Sequence, residues 1–286
     1  MFLGLLLRRV LSALQAGRPL VAAGLALVMA ACATPPAADD EAARAAYKEA
    51  NDPLEPLNRT IFEINRGLDK LIFRPVAELY RNALPDGLRD GVRNAVNNLD
   101  TPNILVNDLL QAEWRRSSES ARRFTVNSLA GAGGLVDLMA MEPGEDGEPV
   151  PFHNEDFGQT LAVWGAGEGP YLVLPIFGPS NVRDAFGRVG DLFLDPLNHV
   201  IPSDVRTEFG LSRMLANGID SRSRVIESLD DIERDSIDLY AAIRSLYRQY
   251  RRNEIVNGEI QTIPAPDISI NFDDDLSRER RAAVLQ

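Results

Sequence analysis

The chain has 286 residues, with 42 acidic against 30 basic side chains, two histidines and a single cysteine. A formal charge of −12 repels a phosphate backbone and excludes nucleic acid as a partner, and one cysteine excludes a disulfide framework. The length suffices for one substantial core or two small ones.

Residues 1–31 carry Arg8, Arg9 and Arg18 and no acid. The uncharged run over 20–31 ends in small side chains, as the hydrophobic region of a signal peptide does. It is too short for a membrane span, which needs roughly 18 or more apolar residues. Met29-Ala30-Ala31 ahead of Cys32 resembles the lipobox of bacterial lipoproteins, with Met29 where leucine is usual. That resemblance implies cleavage before Cys32 and acylation of its sulfur and new amino group. Three acyl chains carry roughly 40 methylenes, and at ~0.8 kcal/mol each the anchor is permanent. Ala33, where an aspartate favours retention in the inner membrane, points to the outer membrane. Removing residues 1–31 leaves 27 basic against 42 acidic groups.

Residues 32–50 read as a flexible, lipid-anchored linker rich in Ala, Pro and acid, and residues 51–258 as a helical domain. Asp52-Pro53-Leu54-Glu55 predicts a helix start with Asp52 as the cap. Leu57, Ile61, Ile64, Leu68 and Leu71 recur at steps of three and four, and Arg74-Pro75 predicts the end of that helix. Leu88, Val92, Val96 and Leu99 form the next stripe. Thr101-Pro102 predicts a new helix through Leu109 and Leu110, and Ser117 or Ser118 a further one through Phe124. No proline occurs over 203–258, where Val225, Ile226, Leu229, Ile232, Tyr240, Ile243, Tyr247 and Tyr250 predict one long amphipathic helix. Residues 259–286 read as a disordered tail.

Three stretches without charge lie in the middle, over 124–136, 157–167 and 169–182. Each is broken by Gly or Pro, so none is a spanning helix; they form either a buried core with loops or an outer belt in the headgroup region of a membrane. No catalytic residue, metal site or cofactor is expected. His153 and His199 stand in no H-E-x-x-H spacing and no G-x-S-x-G elbow accompanies them. His153, near Glu155 and Asp156, reads as a surface imidazole in the acidic loop over 142–156, since a metal needs three or four converging ligands. Gly165-x-Gly167-x-Gly169 lacks the lysine of a phosphate loop and runs into Pro170.

Several segments carry a family likeness: Asn51-Asp52-Pro53-Leu54-Glu55-Pro56-Leu57-Asn58-Arg59, Arg74-Pro75-Val76-Ala77, and Val106-Asn107-Asp108-Leu109-Leu110-Gln111. They continue with Arg123-Phe124, Asn127-Ser128, Gly133-Gly134-Leu135, Glu155-Asp156-Phe157-Gly158-Gln159-Thr160-Leu161, Gly169-Pro170-Tyr171 through Pro175, Gly178-Pro179-Ser180 and Arg183-Asp184. In this order the chain resembles the MlaA (VacJ) lipoproteins of the outer-membrane lipid asymmetry system. Ala112 stands where glycine is expected, and Ala95 and Val96 where aromatic residues are common, departures that bear on local packing.

The resemblance implies an all-α, ring-like bundle of amphipathic helices embedded in one membrane leaflet, with irregular Gly/Pro-rich segments. It implies a protein on the periplasmic side of the outer membrane, beside a trimeric porin. There it removes phospholipids misplaced in the outer leaflet and passes them to the periplasmic carrier MlaC. A phospholipid with roughly 30 chain methylenes costs on the order of 20 kcal/mol or more to expose to water at ~0.8 kcal/mol each, so a sheltered passage needs no bond chemistry to be useful. The alternatives are a porin-associated structural lipoprotein and a lipid hydrolase. Gly131, Gly133 and Gly134 are candidates for the hinge or gate of a loop near the channel, or else a close helix crossing or helix stop. Asn107, Asp108 and Asn127 are candidates for the channel lining, or else caps and buried hydrogen-bonding groups. The tail is a candidate docking segment for the carrier, or else a solvated end.

Overall fold

The structure, a computed structural model, describes Asp40, Arg44, Tyr47, residues 51–142 and residues 150–257. α1 (Glu55–Leu68) runs through a π-helical turn (Asp69–Phe73) into α2 (Arg74–Ala83), followed by α3 (Asp86–Leu110) and α4 (Trp114–Leu129). A 3-10 turn at Met139–Met141 precedes α5 (Phe157–Val163), strands β1 (Tyr171–Leu174) and β2 (Gly178–Asn181), α6 (Val182–Leu194) and the short α7 (Leu197–Val200). α8 (Arg206–Arg224), α9 (Ile226–Asp235) and α10 (Leu239–Ile255) complete the described chain. The fold is mostly helical, as expected, with one antiparallel hairpin set in register by Tyr171 opposite Asn181 and Leu174 opposite Gly178.

Five helix boundaries differ from the sequence reading. Asp52 does not cap α1, whose N-cap is Leu54 with no side-chain bond. The Asp52 carboxylate is buried instead, accepting from Asn58 Nδ2 at 2.7 Å, Arg244 Nη1 at 2.7 Å and the Tyr240 hydroxyl. Arg74-Pro75 does not end the helix: Arg74 N–H reaches back five residues to Asp69 O, and the widened π turn gives the proline ring room. The chain leaves the helix at Leu84, in extended backbone before Pro85. Thr101-Pro102 lies inside α3, where Thr101 Oγ1 donates to Asn97 O at 2.8 Å. Packing along 25 residues of α3 outweighs the ~3 kcal/mol cost of an interior proline. α4 begins at Trp114 rather than Ser117, whose hydroxyl turns back to Glu113 O at 2.8 Å. The expected helix along the stripe from Val225 to Tyr250 is two: one break at Val225 separates it from α8, and a second at Ser236 divides it into α9 and α10. The second break positions Asp238, which accepts from Ala241 N at 3.1 Å as the cap of α10 and from both terminal nitrogens of Arg59 at 3.1 and 2.6 Å.

Neighbouring elements close a circuit. α1 packs on β1, β2 on α10, α10 on α5, α5 on α3, α3 on α8 and α8 on α2, which returns to α1 through the π turn. α6 lies against α5 at a glycine crossing, where a Cβ on Gly187 would stand 2.4 Å from Gly158 N. A small aromatic core of Tyr171, Val173 and Tyr240, flanked by Ile61, Phe62 and Tyr247, holds the hairpin to α1 and α10.

Among the described residues, eight hydrophobic side chains are buried against twenty-one polar or charged ones. Large apolar residues point outward instead, among them Leu71 (79 % exposed), Leu79 (68 %), Leu129 (83 %), Phe186 (68 %) and Phe193 (72 %). A water-soluble domain has the opposite distribution. No helix among the described residues is long and apolar enough to cross a membrane.

Candidate functional site

Three cavities border the circuit. The first, about 260 Å³, is walled by α1, the π turn, the hairpin, α8, α9 and α10, with Phe62, Phe73, Leu229 and Ile243 supplying apolar surface. The second, about 480 Å³, lies between α3, α4, α8 and α10 and presents Asn97, Arg116, His153, Asn217 and Tyr250. The third, about 730 Å³, is bounded by α3 and the turn over 135–141. Asn97 and Phe152 stand in the walls of both the second and third. α8 contributes Arg222 to the first and Asn217 to the second, and α10 contributes Ile243 and Tyr250 respectively. Those spacings are roughly 7–11 Å along each helix at 1.5 Å per residue, so the first and second cavities are successive along the same two helices.

Behind these cavities runs a buried polar network. Thr160 Oγ1 donates to Asn107 Oδ1 at 2.8 Å, and Asn107 Nδ2 donates to Asp191 Oδ1 at 3.2 Å. Asp191 also accepts from Asn103 Nδ2 at 2.9 Å and from the Phe157 backbone N–H at 3.1 Å. Gln111 Nε2 donates to Glu155 at 2.8 Å, and Arg116 Nη2 stands 2.8 Å from its other oxygen. Burial pushes the Glu155 carboxyl up to about 7 against the pull of those two partners. A second centre joins β2, α6, α5 and α10. Asp184 accepts from Arg251 Nε at 2.8 Å, the Tyr247 hydroxyl at 2.5 Å and Asn181 Nδ2 at 2.8 Å. Burial alone would raise its pKa, but Arg251, Tyr247 and Arg183 hold it below the usual carboxylate range.

Of the residues proposed for the channel wall, Asn107 sits in this network, Asp108 pairs with Ser120 and His153, and Asn127 with Asp137, all away from a cavity surface. Asn107 is 0 % exposed, Asp108 1 % and Asn127 3 %, and none borders the three cavities. Asn127 pins the glycine turn: its Nδ2 donates to Asp137 Oδ1 at 2.8 Å and its Oδ1 accepts from Leu138 N at 2.9 Å. At Gly131 a Cβ would stand 2.3 Å from Val136 O, and at Gly134 (φ +93°) 2.6 Å from the Asn98 side chain; Gly133 (φ +73°) has open space around it. The turn is therefore a close backbone approach bordering the third cavity through Leu135 and Val136. Cys32, the tail over 259–286 and residues 143–149 of the acidic loop lie outside the described residues.

His153 is not the surface imidazole expected. Its side chain is 19 % exposed, and Nε2 lies 3.2 Å from Asp108 Oδ2 and 3.3 Å from Ser120 Oγ. Ser120 Oγ donates to that same Asp108 oxygen at 2.6 Å. A serine relay needs the imidazole between the two, one ring nitrogen to each; here one nitrogen faces both and the serine proton is held by the aspartate. The trio clamps the segment at 153 onto α3 and α4 and has no nucleophile geometry. Among the described residues no group of His, Cys, Asp or Glu is placed to hold a metal ion.

Comparison with known proteins agrees along most of the chain. A model of the MlaA lipoprotein family matches residues 50–254. The Escherichia coli K12 protein named intermembrane phospholipid transport system lipoprotein MlaA is 34 % identical over 209 residues, 73 % of this chain and 79 % of that protein. A Rickettsia felis protein is 36 % identical over 219 residues, 76 % of this chain and 83 % of its own length. A solved structure described as the structural basis for maintenance of bacterial outer membrane lipid asymmetry superposes with a TM-score of 0.61 at 32 % identity, covering 71 % of this chain and 98 % of that one.

Proposed function

The chain belongs to the MlaA lipoprotein family, and from that premise we propose that it moves phospholipid without breaking a bond. Anchored through acylated Cys32 on the periplasmic side of the outer membrane, it takes phospholipid misplaced in the outer leaflet through its successive cavities. It hands the lipid to the periplasmic carrier MlaC, beside a trimeric porin. The observation that carries this reading is the inverted distribution of side chains: polar groups inside, apolar groups outside, and two cavities between facing helices. An apolar exterior seats the protein among acyl chains. A first cavity that joins apolar surface to charged side chains and a second lined mainly by amide and charged groups accept both ends of an amphipathic cargo. The geometry at Ser120 and His153 gives a hydrolase no support.

Asn97 offers the test, because it stands in the shared wall of two cavities. In cells lacking the native gene, Asn97→Trp is expected to leave protein level and helix content unchanged while outer-leaflet phospholipid rises to the level of the deletion. Full complementation by this variant, with the protein correctly folded, would count against the passage. Free fatty acid or lysolipid released by purified protein would favour the hydrolase.

A further inference from the structure

The first cavity has a feature that the general reading of a lipid passage leaves unused. Its rim alternates charge: Arg66, Lys70, Arg74 and Arg222 face Asp69, Asp230 and Glu233. Arg74 grips Asp230 through both terminal nitrogens at 2.7 and 2.8 Å, and Arg222 grips Asp69 at 2.7 and 2.9 Å. Lys70 Nζ meets Glu233 at 2.7 Å, and Arg66 meets the same carboxylate. Hydrogen bonds from Arg66 and Lys70 hold Glu233 at about 2, fully ionised. Two donors remain buried and without a partner, Arg66 Nε and Arg222 Nη1, and both belong to residues of this wall. An unsatisfied buried donor on an arginine calls for an acceptor oxygen, and phosphate oxygens suit the guanidinium fork.

Below the rim the surface is apolar. A volume of about 260 Å³ exceeds the ~150 Å³ that admits a benzene-sized guest, so it takes the upper part of an acyl chain. The π turn supplies Asp69, Lys70 and Phe73 to this one cavity. Such turns recur at functional sites because they redirect side chains out of the helical register.

We propose that this cavity is a recognition station for a zwitterionic phospholipid, its phosphate held by Arg66 and Arg222 and its ammonium by the rim carboxylates. An anionic phospholipid offers the phosphate but leaves Asp69, Asp230 and Glu233 facing a headgroup with no cation. The inference rests on the lipid-passage reading and adds headgroup preference to it.

The test uses the full lipidated protein in nanodiscs, with phosphatidylethanolamine and phosphatidylglycerol probes that share one acyl composition and one photoactivatable chain. Adducts are mapped by peptide mass spectrometry. The ethanolamine probe is expected to label peptides holding Phe73, Leu229 and Ile243 about tenfold more than the glycerol probe. Arg222→Gln should reduce that labelling about tenfold, the worth of one charge-assisted hydrogen bond, and leave labelling near Phe152 unchanged. Ile243→Trp, which fills the floor and keeps every rim charge, should abolish it while the melting curve stays put. Equal labelling by both probes, or indifference to Arg222→Gln in a folded protein, overturns the proposal. Adducts near Phe152 with none beneath α9 overturn it while sparing the passage; adducts at neither place overturn both.

Discussion

Glu155 is 2 % exposed and held between Gln111 and Arg116, and its carboxyl is raised from 4.5 to about 7, chiefly by burial. A carboxyl whose pKa rises on folding binds, between those two values, a proton that the unfolded chain has already lost. Its contribution to stability is therefore fully present below about 4.5 and fades as pH rises through about 7. Glu155→Gln keeps the shape of the protonated form and cannot titrate. Denaturant unfolding from pH 5 to 8 is expected to show the native protein losing on the order of 3 kcal/mol relative to this variant. Parallel curves would show that the carboxyl is ionised throughout. Residues of this kind are half legible in sequence. Asn51, Asp52, Asn58 and Arg59 stand in one conspicuous motif, yet each reaches a different distant target: Gly169 O, Tyr240 and Arg244, the β1 backbone, and Asp238. Local spacing makes Asp52 look like a cap because a cap needs no distant partner.

At the scale of elements, α9 stands apart. Its backbone packs mainly on its chain neighbours α8 and α10, and Ile226 is its one buried residue. It reaches α2 and the π turn through ion pairs at Glu227 with Arg81, Asp230 with Arg74 and Glu233 with Lys70. These pairs are partly solvated, so salt weakens them. Hydrogen exchange of α9 amides is expected to accelerate about tenfold between 0.05 and 1 M salt (roughly 1.4 kcal/mol of lost protection), with α3 and α4 unaffected. Salt-independent protection would show that apolar packing holds the helix. The sequence reading joined α9 and α10 because it took the apolar residues from Val225 to Tyr250 as one stripe that no proline interrupts. Breaks at Val225 and Ser236 come from what each piece must reach. In the same way Pro75 and Pro102 read as stops, although a π turn accommodates the first and long packing the second.

For the whole molecule, the outward Leu, Phe and Trp side chains carry a consequence independent of the proposed anchor. A chain beginning at residue 33, made without leader or acyl groups, is expected to float with phospholipid vesicles in a density gradient, because its apolar exterior gains ~25 cal/mol for each Å² removed from water. Recovery of more than half of it as soluble protein at the bottom would show that the exposed apolar side chains do not by themselves hold the protein to a bilayer. The three uncharged middle stretches become the end of α4 with the glycine turn, α5 with its exit, and the hairpin with the start of α6. Their side chains divide: Val173 and Tyr171 are core, while Leu129, Ile176, Phe177 and Trp164 face outward.

Helical class, family and the positions of the charged and apolar runs were determined by the sequence itself, since each depends on neighbours within a turn or two or on ordered motifs. Which polar residues are buried, and which ones face a cavity, was decided by the tertiary structure. Asn107 and Asn97 are the same residue type on one helix, yet Asn107 is sealed against Thr160 and Asp191 while Asn97 borders two cavities. That difference is set by elements more than fifty residues away, whose approach depends on packing and charge pairing across the circuit and leaves no mark in the local spacing of side chains.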